Sequence, residues 1–166
     1  MMKIRTDFVT NSSSSSFTCL FKFELADGSD LMFYGPFAAR NDLVVTVSPR
    51  QLGRAKDVEE MIRLLYDGIV DRSCNGQTRV IDNPQGNEEL KEFVQTLRQR
   101  VRTMDDIVWI TLEGHDAHYD KYDRIYTYDR TNGEYGGYQF GREGDEDSGG
   151  DLCLTDLDEC VIVFET

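Results

Sequence analysis

The sequence lacks the apolar run that secretion or insertion into a membrane requires. Its first residues are charged and then polar, so we expect no signal peptide, no membrane-spanning helix and no membrane contact. The four cysteines, Cys19, Cys74, Cys153 and Cys160, form no CxxC pair. This spacing argues against a zinc ribbon and against a thioredoxin-like redox motif. These features together predict a cytoplasmic protein.

The sequence also lacks the short motifs of common catalytic chemistries. It contains no GxSxG, HExxH, P-loop or dinucleotide-binding pattern. Acidic pairs such as Asp105-Asp106 supply oxygen ligands for magnesium, but without positioned partners they indicate solvated charges. The sequence therefore predicts no catalytic residue.

Basic residues are scarce in the last part of the chain. Residues 103–166 hold four basic and seventeen acidic side chains, while residues 1–50 and 51–102 are each balanced, so the net charge of -13 arises in the last part. Such a field repels phosphate backbones, which argues against direct nucleic-acid binding, and attracts a basic protein partner. Solubility is the simpler explanation of the same charge. The candidate interaction residues are Asp145, Glu146, Asp147, Asp151, Asp156, Asp158 and Glu159.

The amino-terminal segment combines apolar residues with a serine tract. Phe8-Val9 and Phe17 enclose five consecutive serines, Ser12, Ser13, Ser14, Ser15 and Ser16. The pattern Phe-Val-x-Asn-Ser-Ser-Ser-Ser-Ser-Phe resembles the leader of many small uncharacterised bacterial and phage proteins. That resemblance implies no activity and no catalytic residue. The serines are candidates for modification or docking, and a solvated arm is the simpler alternative.

The hydrophobic periodicity predicts an α+β fold: a mainly antiparallel sheet of about six or seven strands with two helices packed on one face. We expect residues 1–16 to form the Ser-rich leader and residues 17–166 a single domain. Asp57 and Asn87 are the expected helix caps. Asn132-Gly133 predicts a hairpin turn. The expected strands lie at residues 17–25, 31–34, 43–47, 107–112, 122–128, 135–140 and 160–164.

The chain's two histidines lie among carboxylates, in the group His115, Asp116, His118 and Asp120. These side chains suit zinc or a similar divalent ion. In a strand, residues three apart face opposite sides, so both imidazoles reach one ion only where the segment turns. A solvated acidic turn is the alternative. Beyond this divalent metal, we expect no cofactor.

Alternation places Tyr122, Tyr126 and Tyr128 on one strand face with Arg124 and Arg130. An aromatic face of this kind binds a ligand or packs against a helix or its cross-strand neighbours, and packing is the more common outcome.

Our first functional hypothesis is a non-enzymatic, accessory interaction module whose acidic carboxyl-terminal surface meets a basic partner. The alternative is a metal-dependent hydrolase or transferase that uses His115, His118 and nearby aspartates.

Overall fold

A computed structural model of the chain describes residues 20–33, 43–71, 78–82, 84–115, 122–141, 150–151 and 162–164. Within these ranges the chain forms ten strands and three α-helices. All strand pairs are antiparallel. The predicted α+β fold with a mainly antiparallel sheet is therefore confirmed.

The larger sheet, sheet A, has six strands in the order β2-β1-β6-β7-β8-β9. Phe21 and Phe23 of β1 are fully buried and Glu24, which follows Phe23, is half-buried, as the alternation predicts, whereas Lys22 on the opposite face is also buried. The β7–β8 hairpin turns through Gly133, whose φ of 78° favours glycine. The strands of sheet A are β1 (Leu20–Leu25), β2 (Asp30–Phe33), β6 (Ile107–His115), β7 (Tyr122–Asp129), β8 (Glu134–Gly141) and β9 (Gly150–Asp151).

Four short strands form a second sheet, sheet B, in the order β10-β3-β4-β5. The sequence pattern marks segments 43–47 and 160–164 as strands but does not distinguish this sheet from sheet A, because alternation defines the face of a strand and not its neighbour. The strands are β3 (Leu43–Val45), β4 (Ile69–Asp71), β5 (Thr78–Arg79) and β10 (Ile162–Phe164).

Two of the three helices begin at a side-chain cap, and the third begins at a proline. The short helix α1 (Pro49–Gly53), which the periodicity did not predict, begins with a capping box of Ser48 and Gln51. Helix α2 (Val58–Gly68) is capped by Asp57 as predicted, since the Asp57 carboxylate accepts from the Glu60 amide at 2.8 Å. Helix α3 (Pro84–Arg100) begins earlier than the predicted cap Asn87. Proline fits the first turn of a helix because its missing N–H has no partner there, so Pro84 starts the helix.

The helices and sheet B share one core with the inner face of sheet A. Helix α3 buries an apolar stripe against this core, and Val101, which follows the helix, is buried with it; the stripe consists of Leu90, Phe93, Val94 and Leu97. The Phe93 ring lies 5.8 Å from that of Phe23 and 5.0 Å from that of Phe33, so α3 packs directly on β1 and β2. Among the described residues, no helix has the length and apolar character needed to cross a membrane.

Candidate functional site

The outer face of sheet A carries a straight row of acidic side chains with a tryptophan in its middle. Strand register pairs Asp30 with Glu24, Glu24 with Trp109, Trp109 with Asp129, and Asp129 with Glu134. Directly paired residues point to the same face of a sheet, and adjacent Cβ atoms lie about 5 Å apart. We call these five residues, which come from β2, β1, β6, β7 and β8, the Trp109 row.

The Trp109 row reaches the protein surface. The Asp30 side chain is 44% exposed, and Glu134 is exposed. Glu24, Trp109 and Asp129 are half-buried. The Trp109 indole N–H donates to the Thr111 hydroxyl at 3.0 Å, which fixes the orientation of the ring. The row therefore presents carboxylates on both sides of one oriented aromatic side chain.

The next row of the same face is polar and buried. Lys22 pairs with Thr111, and Thr111 pairs with Thr127, across β1, β6 and β7. Lys22, Thr111 and Thr127 are only 8%, 3% and 6% exposed, and nearby Glu113 is 2% exposed. A buried charge is costly unless it is paired. Lys22 meets this requirement in part, since its Nζ lies 3.6 Å from the Asp30 carboxylate of the Trp109 row.

Two acidic side chains stabilise local structure next to strands of sheet A: Asp27, between β1 and β2, and Asp106, directly before β6. The Asp27 carboxylate accepts hydrogen bonds from the hydroxyl and the amide of Ser29, which lower the Asp27 pKa. Asp106 accepts from the amides of Arg102 at 2.8 Å and Thr103 at 3.2 Å, and these bonds lower the Asp106 pKa. Asp105, in contrast, has a side chain that is 96% exposed. The adjacent pair Asp105-Asp106 thus divides into one solvated and one structural carboxylate.

Arg130, one of four basic residues after position 102, is directed inward. Its guanidinium donates to the backbone carbonyls of Gly53 at 2.9 Å, Ile107 at 3.2 Å and Met104. Only 19% of the side chain is exposed, and the Asp105 carboxylate lies 3.8 Å away. Arg130 therefore contributes to tertiary packing and little to the charge of the surface.

The tyrosines on the inner face of β7 are packed. Tyr126 is 4% exposed and belongs to the core, and Tyr128 is 8% exposed. The Tyr128 ring lies close to Gly53, where an added Cβ would meet its Cε2 at 2.6 Å. At these two positions the aromatic face is part of the interior and not an open ligand surface. Tyr122 is the first residue of β7.

Most of the other predicted site residues lie outside the described ranges. Asp151 belongs to β9, and His115 is the last residue of β6. Within the ranges that the structure describes, no group of three or more His, Cys, Asp or Glu side chains could hold a metal ion. The metal-dependent alternative stays a prediction. The residues outside the described ranges are Ser12, Ser13, Ser14, Ser15, Ser16, Asp116, His118, Asp120, Asp145, Glu146, Asp147, Asp156, Asp158 and Glu159.

Comparison with known proteins adds no assignment to this geometry. No protein-family model, curated protein or solved structure matches the chain. The candidate site therefore depends on the described side chains alone.

Sequence reasoning did not assemble the Trp109 row. Alternation along β6 does place Trp109 on the face opposite Ile110 and Leu112, and this was the available signal. The strand that supplies Glu24 is far from β6 in sequence, and the register of β6 with the following strand β7, which supplies Asp129, is not determined by alternation alone, so the row could not be inferred from local patterns.

Proposed function

We propose that this protein is a non-catalytic interaction module, and that the acidic side chains of residues 103–166 bind a basic surface of a protein partner. The observation that carries the proposal is the excess of seventeen acidic over four basic side chains in residues 103–166. A surface with one sign of charge steers an oppositely charged partner and disfavours phosphate backbones. A cytoplasmic location is part of the same proposal.

Two features of the described residues support this proposal. Inward-facing Arg130 is unable to neutralise much of the surface, since its guanidinium donates to backbone carbonyls. The four carboxylates of the Trp109 row lie in one line on the outer face of sheet A. Asp129 and Glu134 of this row lie directly opposite each other on β7 and β8, and like charges in that position repel one another.

The proposal is tested with long polylysine as a defined cationic probe. We expect calorimetry to show binding at low ionic strength that weakens strongly on addition of salt, because salt screens exposed charges. A variant with Asp145→Asn, Glu146→Gln and Asp147→Asn should bind more weakly. The matched control changes Glu88 and Glu92, which are exposed on α3 in the charge-balanced part of the chain, to glutamine. Binding that is independent of salt, or absent at low salt, contradicts the proposal.

A further inference from the structure

We propose that Asn132-Gly133, in the turn of the β7–β8 hairpin, is a covalent modification site at which Asn132 loses its side-chain amide, and that the hydrogen bonds of the turn control the rate. Residues 131–134 are exposed, so water reaches this peptide unit. The inference is independent of the proposed function, because it concerns a reaction of the chain with water alone.

The reaction begins with attack of the Gly133 backbone nitrogen on the side-chain Cγ of Asn132. The nitrogen gives up its proton, its electron pair forms the N–Cγ bond, and the Cγ–Nδ2 bond breaks so that Nδ2 leaves as ammonia with a proton gained. Glycine has no Cβ to obstruct closure of this five-membered imide. Water then opens the ring at Cγ to give aspartate, or at the backbone carbonyl to give isoaspartate. Both products add one carboxylate to the acidic part of the chain.

The folded turn restrains the attacking nitrogen. The Gly133 N–H donates to the Asp129 backbone carbonyl at 2.7 Å. The imide nitrogen carries no hydrogen, so this bond is lost when the ring forms. Loss of a typical hydrogen bond corresponds to a factor of about five in rate. The fold therefore protects Asn132 relative to the same residues in an unfolded chain.

Two side chains hold the turn in this arrangement. The Asn132 Oδ1 accepts from the Glu134 amide at 2.9 Å, which fixes the group that is attacked. The Asp129 carboxylate accepts from the Thr131 amide at 2.9 Å and from the Thr131 hydroxyl at 2.5 Å. A substitution of the Asp129 side chain thus loosens the turn without changing any reacting atom.

The test follows conversion at Asn132 in the full chain by peptide mapping and mass spectrometry, during incubation in mildly alkaline buffer. We expect the wild type to react at least about fivefold faster in guanidinium chloride than in native buffer. Asn75-Gly76, which lies outside the described residues, is the internal reference. Since glycine follows the asparagine at both sites, their rates in guanidinium chloride should be similar.

Asp129→Ala should raise the native rate towards the rate in guanidinium chloride. The matched control is Glu134→Gln, which removes a carboxylate from the same turn but keeps the backbone amide that donates to Asn132. Its native rate should equal that of the wild type. The comparison separates the effect of the turn from the effect of local charge.

Equal rates in native and denaturing buffer would overturn control by the turn, and so would an Asp129→Ala protein that reacts as slowly as the wild type. Absence of conversion in guanidinium chloride would overturn the site itself. Where Asp129→Ala does not fold, Thr131→Ala carries the test. It removes only the hydroxyl donor, so a smaller increase in native rate is expected.

Discussion

Gly53 is the residue at which the packing of α1 on sheet A leaves no room for a side chain. An added Cβ would lie 2.6 Å from Cε2 of Tyr128 and 3.3 Å from Cγ of Arg130. Carbon atoms pack at about 3.5–4.0 Å, so either the ring or the helix would have to move. The absence of a side chain at Gly53 is thus a requirement of tertiary contact.

We therefore expect Gly53→Ala to lower the free energy of unfolding by about 1–3 kcal/mol, the usual cost of overpacking. Urea unfolding measures this value. In a Tyr128→Leu background the cost should shrink, because the ring that clashes has been removed. Gly28→Ala is the control, since Gly28 has φ of 91° and open space around it, so its cost should be the same in both backgrounds. An equal cost of Gly53→Ala in both backgrounds would contradict the steric explanation.

The Asp106 carboxylate makes stability depend on pH. Hydrogen bonds from the Arg102 amide, and then from the Thr103 amide, hold its pKa below the ordinary value of 3.8. A group whose pKa is lowered by folding stabilises the protein above its unfolded pKa, and this contribution is lost as the pH falls through the folded value. Asp106 therefore supports the fold at neutral pH and ceases to do so in acid.

Asp106→Asn keeps an acceptor oxygen but removes the charge. We expect it to be less stable than the wild type at neutral pH, with a difference that narrows once the pH falls below 3.8. Urea unfolding over a pH series measures the difference. Asp105→Asn, at a side chain that is 96% exposed, is the control and should leave stability nearly unchanged. A gap between wild type and Asp106→Asn that is constant with pH would refute the explanation.

At the scale of single elements, local signals are informative where the chain supplies its own hydrogen-bond partners. Asp57 caps α2 as its sequence position indicates, and Asn132-Gly133 lies in the four-residue turn of the β7–β8 hairpin at residues 130–133. Both signals act over two to four residues and need no tertiary contact. The predicted start of α3 at Asn87 was wrong because a proline can begin a helix, and Pro84 does so.

The cap of α2 gives a prediction at this scale. Asp57→Ala removes the acceptor for the Glu60 amide, so we expect a loss of about 1 kcal/mol in the free energy of unfolding. Thermal unfolding followed by circular dichroism measures it. Asp57→Ser restores a side-chain oxygen and should recover most of the loss. Equal destabilisation by alanine and serine would show that the hydrogen bond is not the cause.

In the molecule as a whole, Arg130 connects parts that are distant in sequence. Its guanidinium donates to carbonyls at the end of α1, in the 3-10 turn Met104–Asp106 and at the start of β6. Removal of the side chain takes one donor from each of these carbonyls, although the Met104 carbonyl still accepts from the Ile107 amide, and a part-buried acceptor that loses its partner is unfavourable. Arg130 therefore fixes α1 and the turn against sheet A.

Arg130→Met should lower the free energy of unfolding by about 2–3 kcal/mol, because a side chain of similar length remains but the donors are gone. Denaturant unfolding measures the loss. Arg130→Lys keeps the charge without the planar fork of donors, so its stability should fall between those of the other two proteins. If the methionine variant is as stable as the wild type, water donates hydrogen bonds to these carbonyls as well as Arg130 does, and the explanation is wrong.

The sequence alone established the α+β class, the helices α2 and α3, the strands of sheet A other than β9, and the excess of negative charge in the last part of the chain. Each of these follows from composition or from a period of a few residues, so neighbours along the chain suffice to specify it. Only the tertiary structure decided that segments 43–45 and 162–164 belong to a second sheet, that Tyr126 and Tyr128 are interior, and that Arg130 faces inward. It also aligned Glu24, Trp109 and Asp129 into one row, because alternation gives the face of each strand and only the folded sheet gives the register between strands.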